Sequence, residues 1–111
     1  MTPVENIDVA RALELLDGGA VLLDVREDDE WRAGHSPLAT HIPLSSVPDA
    51  VDDLAHERRI VCVCRSGGRS ARAAQFLTEQ GFDVVNLEGG MTAWQSYGAE
   101  MVADDGEPTV A

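Results

Sequence analysis

The stretch Arg59–Phe76, RIVCVCRSGGRSARAAQF, decides how the rest of the chain is read. It holds both cysteines, Cys62 and Cys64, and three of the eight basic residues, Arg65, Arg69 and Arg72, fall within the span Arg65–Arg72. An uninterrupted apolar run ends at Cys64, passes through a Gly-Gly pair and resumes with helical spacing. A strand that stops, turns through small and basic residues and becomes a helix is the repeating unit of a parallel α/β sheet. In such sheets ligands bind where the carboxyl end of a strand gives way to the next helix. Cys64 stands at that end.

Outward from this stretch, strand and helix patterns alternate. In IDVARALELLDGG (Ile7–Gly19), Ile7, Val9, Ala12, Leu13 and Leu16 fall at near-helical spacing, with Asp8 as N-cap and Gly18-Gly19 as the stop. AVLLDV (Ala20–Val25) has the length of a strand buried on both faces. REDDEWRAG (Arg26–Gly34) reads as a short helix anchored by Trp31, with an acidic, solvated start and an Arg26–Glu30 pair across one turn. THIPL (Thr40–Leu44) suits a brief strand near a sheet edge, because Pro43 cannot donate to a ladder. SSVPDAVDDLAHE (Ser45–Glu57) predicts a helix with Pro48 in its first turn and Val47, Val51 and Leu54 as its apolar stripe.

RIVCVC is the most apolar run and is expected at the centre of the sheet. The helix after it should begin near Ser70, bury Ala73, Ala74, Phe76 and Leu77, leave Arg72 in solvent and close with Gly81. FDVVNL (Phe82–Leu87) supplies another strand and GGMTAWQSYG (Gly89–Gly98) a last short helix, with Trp94 as a packing anchor. The fold class is therefore α/β, a central parallel β-sheet flanked by helices on both faces, in one domain over residues 1–98. Residues 99–111, AEMVADDGEPTVA, carry four acids, no base and no periodicity, and are expected to form a loose acidic tail.

Charge excludes several function classes. A formal net charge of −12 repels phosphate backbones and anionic lipid headgroups, so neither nucleic acid nor a membrane surface is an expected partner. All eight basic residues are arginine, which rules out a lysine Schiff base and a Walker-type phosphate loop. The N-terminus lacks the pattern of a signal peptide, and no apolar run approaches the roughly 18 residues of a membrane span. Two cysteines at C-x-C spacing make no disulfide framework, so free thiols in a reducing cytoplasm are expected. His35, His41 and His56 are scattered without ligand spacing, and no metal or other cofactor is expected.

At Cys64 the residue types converge on one chemistry. A tight turn into a helix directs successive backbone N–H groups inward, and the helix start adds its partial positive charge. Gly67 and Gly68 allow positive φ and close approach, while Arg65, Arg69 and Arg72 add formal charge. An unperturbed thiol is only about 3% ionised at pH 7. A turn that stabilises the anion raises that fraction and makes a soft nucleophile without a neighbouring general base. Cys62, two residues earlier on the same strand, reads as a small buried hydrophobe.

The motif CRSGGRS (Cys64–Ser70) resembles the active-site loop of the rhodanese family of single-domain sulfurtransferases. LLDVRE (Leu22–Glu27), EWRAGH (Glu30–His35), HIPL (His41–Leu44) and LEGGMTAW (Leu87–Trp94) resemble further family motifs in the same order. The resemblance implies a rhodanese-like domain in which Cys64 takes a sulfane sulfur from a small anionic donor such as thiosulfate, or from a persulfide. The sulfur then passes to a thiol or to cyanide. It implies substrate-binding roles for Arg65, Ser66, Gly67, Gly68 and Arg69, and supporting roles for Asp24, Arg26 and Ser70. A cysteine desulfurase or a sulfur-accepting protein enters as a protein partner in the alternative, a sulfur carrier or binding module without small-molecule turnover. The chain departs from the family pattern at Ser36, where an aliphatic residue is usual, and at Leu38, where glycine is usual. Cys64 and Arg69 enclose four residues, one fewer than the C-x5-R loop of cysteine-dependent phosphatases, and a smaller ring suits a single sulfur better than a phosphoryl group.

Overall fold

The computed structural model describes residues 3–111. Its five strands are β1 (Glu5–Ile7), β2 (Val21–Asp24), β3 (Ala39–His41), β4 (Ile60–Val63) and β5 (Val84–Leu87). They form one parallel sheet in the order β1-β5-β4-β2-β3. β4 lies at the centre, and all four of its residues are buried, as an unbroken apolar run requires when both faces are covered. β3 is an edge, and Pro43 falls just after it, where its missing N–H costs no ladder bond. β1 is the other edge and departs from expectation. Ile7 belongs to this short strand rather than to the following helix, and is buried through its pairing with Leu87.

The helices are α1 (Val9–Asp17), α2 (Asp28–Ala33), α3 (Val47–Ala50), α4 (Gly68–Glu79) and α5 (Gly90–Tyr97). Asp8 caps α1 by accepting the Arg11 amide at 2.8 Å, the contact expected of an N-cap carboxylate. The alternation of side chains along each strand divides the core in two. On one face Leu23, Val25, Ile60, Cys62 and Cys64 pack against Ala73, Ala74 and Leu77 of α4. On the other, Leu22, Val61, Val63, Val85 and Leu87 pack against Val9 and Ala12 of α1 and Met91 and Trp94 of α5. Helices on both faces are thus observed. No described helix is long and apolar enough to cross a membrane.

Three local expectations are corrected. The segment after β3 is not one helix but two 3-10 turns, Leu44–Ser46 and Val51–Asp53, on either side of the four-residue α3. α4 begins at Gly68, two residues before Ser70, because Gly67 adopts the left-handed conformation (φ 113°) that ends the loop. The stretch from Ala99 is not loose. Its main chain returns over α2 and the turn that follows: His35 and Val102 exchange backbone hydrogen bonds at 2.9 and 2.8 Å, and the Thr109 amide donates to Ala33 O at 3.0 Å. Trp94 Nε1 donates to Glu100 O at 3.0 Å, and Ala99, Met101 and Val110 pack on the second core. A side chain at Gly34 would collide with the Thr109 backbone, so this glycine is where the returning chain fits.

The unusual turn at Ser36 closes through that residue. Ser36 is buried, and its Oγ accepts the Leu38 amide at 3.1 Å, a local serine turn that leaves Leu38 exposed.

Candidate active site

Cys64 follows β4 directly, and its side chain is 1% exposed. Its Sγ accepts hydrogen bonds from the Gly67 amide at 3.1 Å and from Ser70 Oγ at 3.3 Å. The amides of Ser66 and Ser70 also stabilise its anion. Burial is the largest single influence on this thiol and pushes its pKa up. The Ser70 hydroxyl and the three amides together outweigh burial and bring the pKa below the ordinary value. Cys62, on the same strand, has no such donors: burial, with the nearby Cys64 charge adding to it, pushes its thiol up to about 12. Two cysteines in one run are thus separated chemically by a loop that reaches only one of them.

The loop is held from outside. At the start of α5, the Met91 amide donates to Cys64 O at 2.8 Å, and the Thr92 amide and hydroxyl both donate to Arg65 O at 3.1 Å. With these carbonyls turned outward, the amides that follow can face the sulfur. Gly90 allows the approach. Its φ is 58°, and a Cβ there would run into Cys64 O and the Arg65 carbonyl. Asn86, buried on β5, donates from Nδ2 to Gly67 O at 3.2 Å and to Asn6 Oδ1 at 3.0 Å. Gly90, Thr92 and Asn86 escaped the sequence reading. The doubled glycine of LEGGMTAW was the available signal, but nothing in the sequence says which loop it abuts.

The other candidate residues are placed as follows. Arg65 and Ser66 are exposed on the loop, and Ser70 is buried beneath it. Gly68, unlike Gly67, has no positive φ and open space around it, so only one of the pair uses glycine's freedom. Asp24 and Arg26 are fully buried and joined side to side, with Arg26 Nε on Asp24 Oδ1 at 3.0 Å and Nη2 on Oδ2 at 2.8 Å. Arg26 Nη2 also donates to Gly34 O at 2.7 Å, so the pair ties the end of β2 to the end of α2. Neither side chain hydrogen-bonds the sulfur.

The expected Arg26–Glu30 pair is therefore corrected. Arg26 belongs to Asp24, and Glu30 instead receives Arg69, Nη1 on Oε1 at 2.6 Å and Nη2 on Oε2 at 2.8 Å. The Arg69 guanidinium lowers the Glu30 pKa to about 2 against a smaller opposing effect of burial. Glu30 in turn lifts the Arg69 pKa, and the negative charge of Cys64 adds to that rise. Arg69 thus belongs to the loop that turns around the sulfur, but its fork is on a carboxylate. His35 and His41 both stack on Trp31, with ring centroids 3.6 and 4.7 Å away. Their ring N–H groups donate to Trp31 O and Arg26 O, both at 2.7 Å, which supplies the partners the sequence did not reveal.

A doubly covered parallel sheet that seats one activated thiol in an amide-lined turn, at the carboxyl end of its central strand, defines a cysteine-centred α/β domain. The chain belongs to the Rhodanese-like domain family, whose profile matches residues 8–97. Among curated proteins it is 46% identical over 94 residues to Bacillus subtilis YtwF, by name a candidate sulfurtransferase, covering 83% of this chain and 91% of that one. It is 35% identical over 100 residues to the thiosulfate sulfurtransferase GlpE of Pseudoalteromonas translucida, covering 88% of this chain and 95% of that protein. The crystal structure of a rhodanese-related protein from Thermoplasma volcanium superposes with a TM-score of 0.83 at 31% identity, over 88% of this chain and 97% of that one.

Proposed function

We propose that the protein is a sulfurtransferase in which Cys64 carries a sulfane sulfur between a donor and a thiophilic acceptor. The observation that carries this reading is the seat of the sulfur. A buried thiol receives the Ser70 hydroxyl and inward amides, and its pKa is lowered despite burial. The names of the related proteins support the same chemistry.

In the first half-reaction the Cys64 thiolate attacks the outer sulfur of thiosulfate. The sulfur–sulfur bond of the donor breaks, sulfite departs with the electron pair, and a Cys64 persulfide anion remains. In the second, cyanide or a thiolate attacks the terminal sulfur, and the Cys64 thiolate is the leaving group. The same donors that hold the resting thiolate can hold the persulfide, so the loop serves both halves of a ping-pong cycle. No proton has to be removed by a general base, because the nucleophile is formed beforehand.

Thiocyanate formation from thiosulfate and cyanide, together with the intact mass of the protein, tests this. The parent should turn over and gain one reductant-labile sulfur; Cys64→Ser should do neither, and Cys62→Ala should keep most of the activity. Sulfur loading that survives in Cys64→Ser would refute the assignment. A parent that loads only from a cysteine desulfurase would move the protein to the carrier role.

A further inference from the structure

The cation the loop brings to the sulfur has its charge already matched. Arg69 meets Glu30 end-on, through both terminal nitrogens, and this is the face of a guanidinium that would otherwise grip a planar or tetrahedral anion. Glu30 is held in place independently of Arg69: its Oε1 accepts the Glu27 amide at 3.0 Å, closing a capping box at the start of α2. Its side chain is 15% exposed and that of Arg69 33%, so the pair is partly solvated and salt weakens it only in part. Three further acids, Glu27, Asp28 and Asp29, stand beside it on an exposed helix start, and the whole chain carries −12. Arg65 is the other loop cation, and it is exposed, where its attraction is screened.

We propose that Glu30 sets the charge of the sulfur donor: by holding the fork of Arg69, it makes the site select a thiol persulfide over the thiosulfate dianion. This rests on Cys64 being the sulfur acceptor. In the favoured step the Cys64 thiolate attacks the outer sulfur of R–S–SH. The donor's sulfur–sulfur bond breaks, the new bond to Sγ forms, and the proton of the outer sulfur leaves with the departing thiol. Thiolate and persulfide thereby become a Cys64 persulfide anion and R–SH, with no external oxidant or reductant. With thiosulfate the same exchange needs a cation at the three donor oxygens and expels doubly charged sulfite. Glu30 competes for that cation. It is a positioning residue, acting through Arg69.

Alkylation of Cys64 by iodoacetate and by the neutral iodoacetamide, followed by intact mass, reads this selection without any sulfur transfer. Glu30→Gln keeps an oxygen for the Glu27 amide and removes the charge together with one of the two acceptors of the Arg69 fork. The iodoacetate-to-iodoacetamide rate ratio should rise roughly three- to ten-fold at low salt and less at high salt. Thiosulfate kcat/KM should rise by a similar factor, mainly through KM, while 2-hydroxyethyl persulfide changes less than about two-fold. In an Arg69→Met background, Glu30→Gln should raise the ratio less.

An unchanged ratio overturns the proposal, as does an equal rise in both backgrounds, which would mean Glu30 acts by its own field. The parent alone also tests it: relative to free cysteine it should disfavour iodoacetate, and a preference for iodoacetate overturns it even if the variant does not fold. The expected alkylation pattern without sulfur gained from either donor overturns the sulfurtransferase reading and the donor assignment, and leaves Glu30's hold on Arg69 standing.

Discussion

At Cys64 two influences oppose each other on one atom. Burial favours the neutral thiol, and a hydroxyl with three amides favours the anion. Because the donors win, the thiolate should persist to lower pH than in free cysteine, and the alkylation rate should reach its plateau earlier as pH rises. Ser70→Ala removes the largest of the stabilising contributions. We expect it to shift the alkylation midpoint toward higher pH and to slow iodoacetamide several-fold at pH 6. A midpoint that does not move would place the stabilisation elsewhere. Asp24 shows a different kind of dependence. Its carboxylate takes the Arg26 Nε and Nη2 in a fully buried pair, so Asp24→Ala would strand a guanidinium inside the protein. The expected loss is about 3–5 kcal/mol in denaturant unfolding.

The elements meet at the loop through backbone as much as through side chains. α5 grips the outward carbonyls of Cys64 and Arg65, and Gly90 is the point of contact. Gly90→Ala combines a left-handed backbone with a collision against Arg65, and should cost roughly 2–3 kcal/mol and return the Cys64 thiol toward ordinary reactivity. α2 and α4 are joined by the Glu30–Arg69 pair. The Glu30 pKa is lowered to about 2 from an ordinary 4.5, so its contribution to stability is fully present above pH 4.5. It is lost as pH falls from there through 2. The pair is partly solvated, so Glu30→Gln should destabilise by less than about 1 kcal/mol at pH 7. That difference between parent and variant should close in acid, as melting curves across pH would show.

For the molecule as a whole, the returning C-terminal segment is part of the fold. It covers Trp94 and Gly34, and Gly34 in turn receives Arg26, so the segment is linked through one glycine to the buried Asp24 pair. Truncation after Gly98 should expose the edge of the second core, shift Trp94 emission to the red and lower the melting temperature by several degrees. An unchanged melting point would show that the segment adds nothing to stability. Its four acids sit on the outside, so the same truncation reduces the negative field around the domain while leaving the loop intact.

Local sequence indicated the parallel α/β class, the central strand and which cysteine ends at the glycine-rich turn. An unbroken apolar run has to be buried on both faces, and a glycine-rich turn after it has to present amides at that strand end. β1 escaped because three residues carry too little periodicity to stand apart from the helix they precede. The C-terminal segment escaped because it is held mostly by main-chain hydrogen bonds, which leave no pattern in side-chain chemistry. The choice of ion-pair partner was tertiary as well. From sequence, Arg26 and Glu30 stand one helical turn apart and look like a pair. Only the assembled sheet brings Asp24 under Arg26 and Arg69 across to Glu30, because each charge pairs with whichever opposite charge packing leaves within reach.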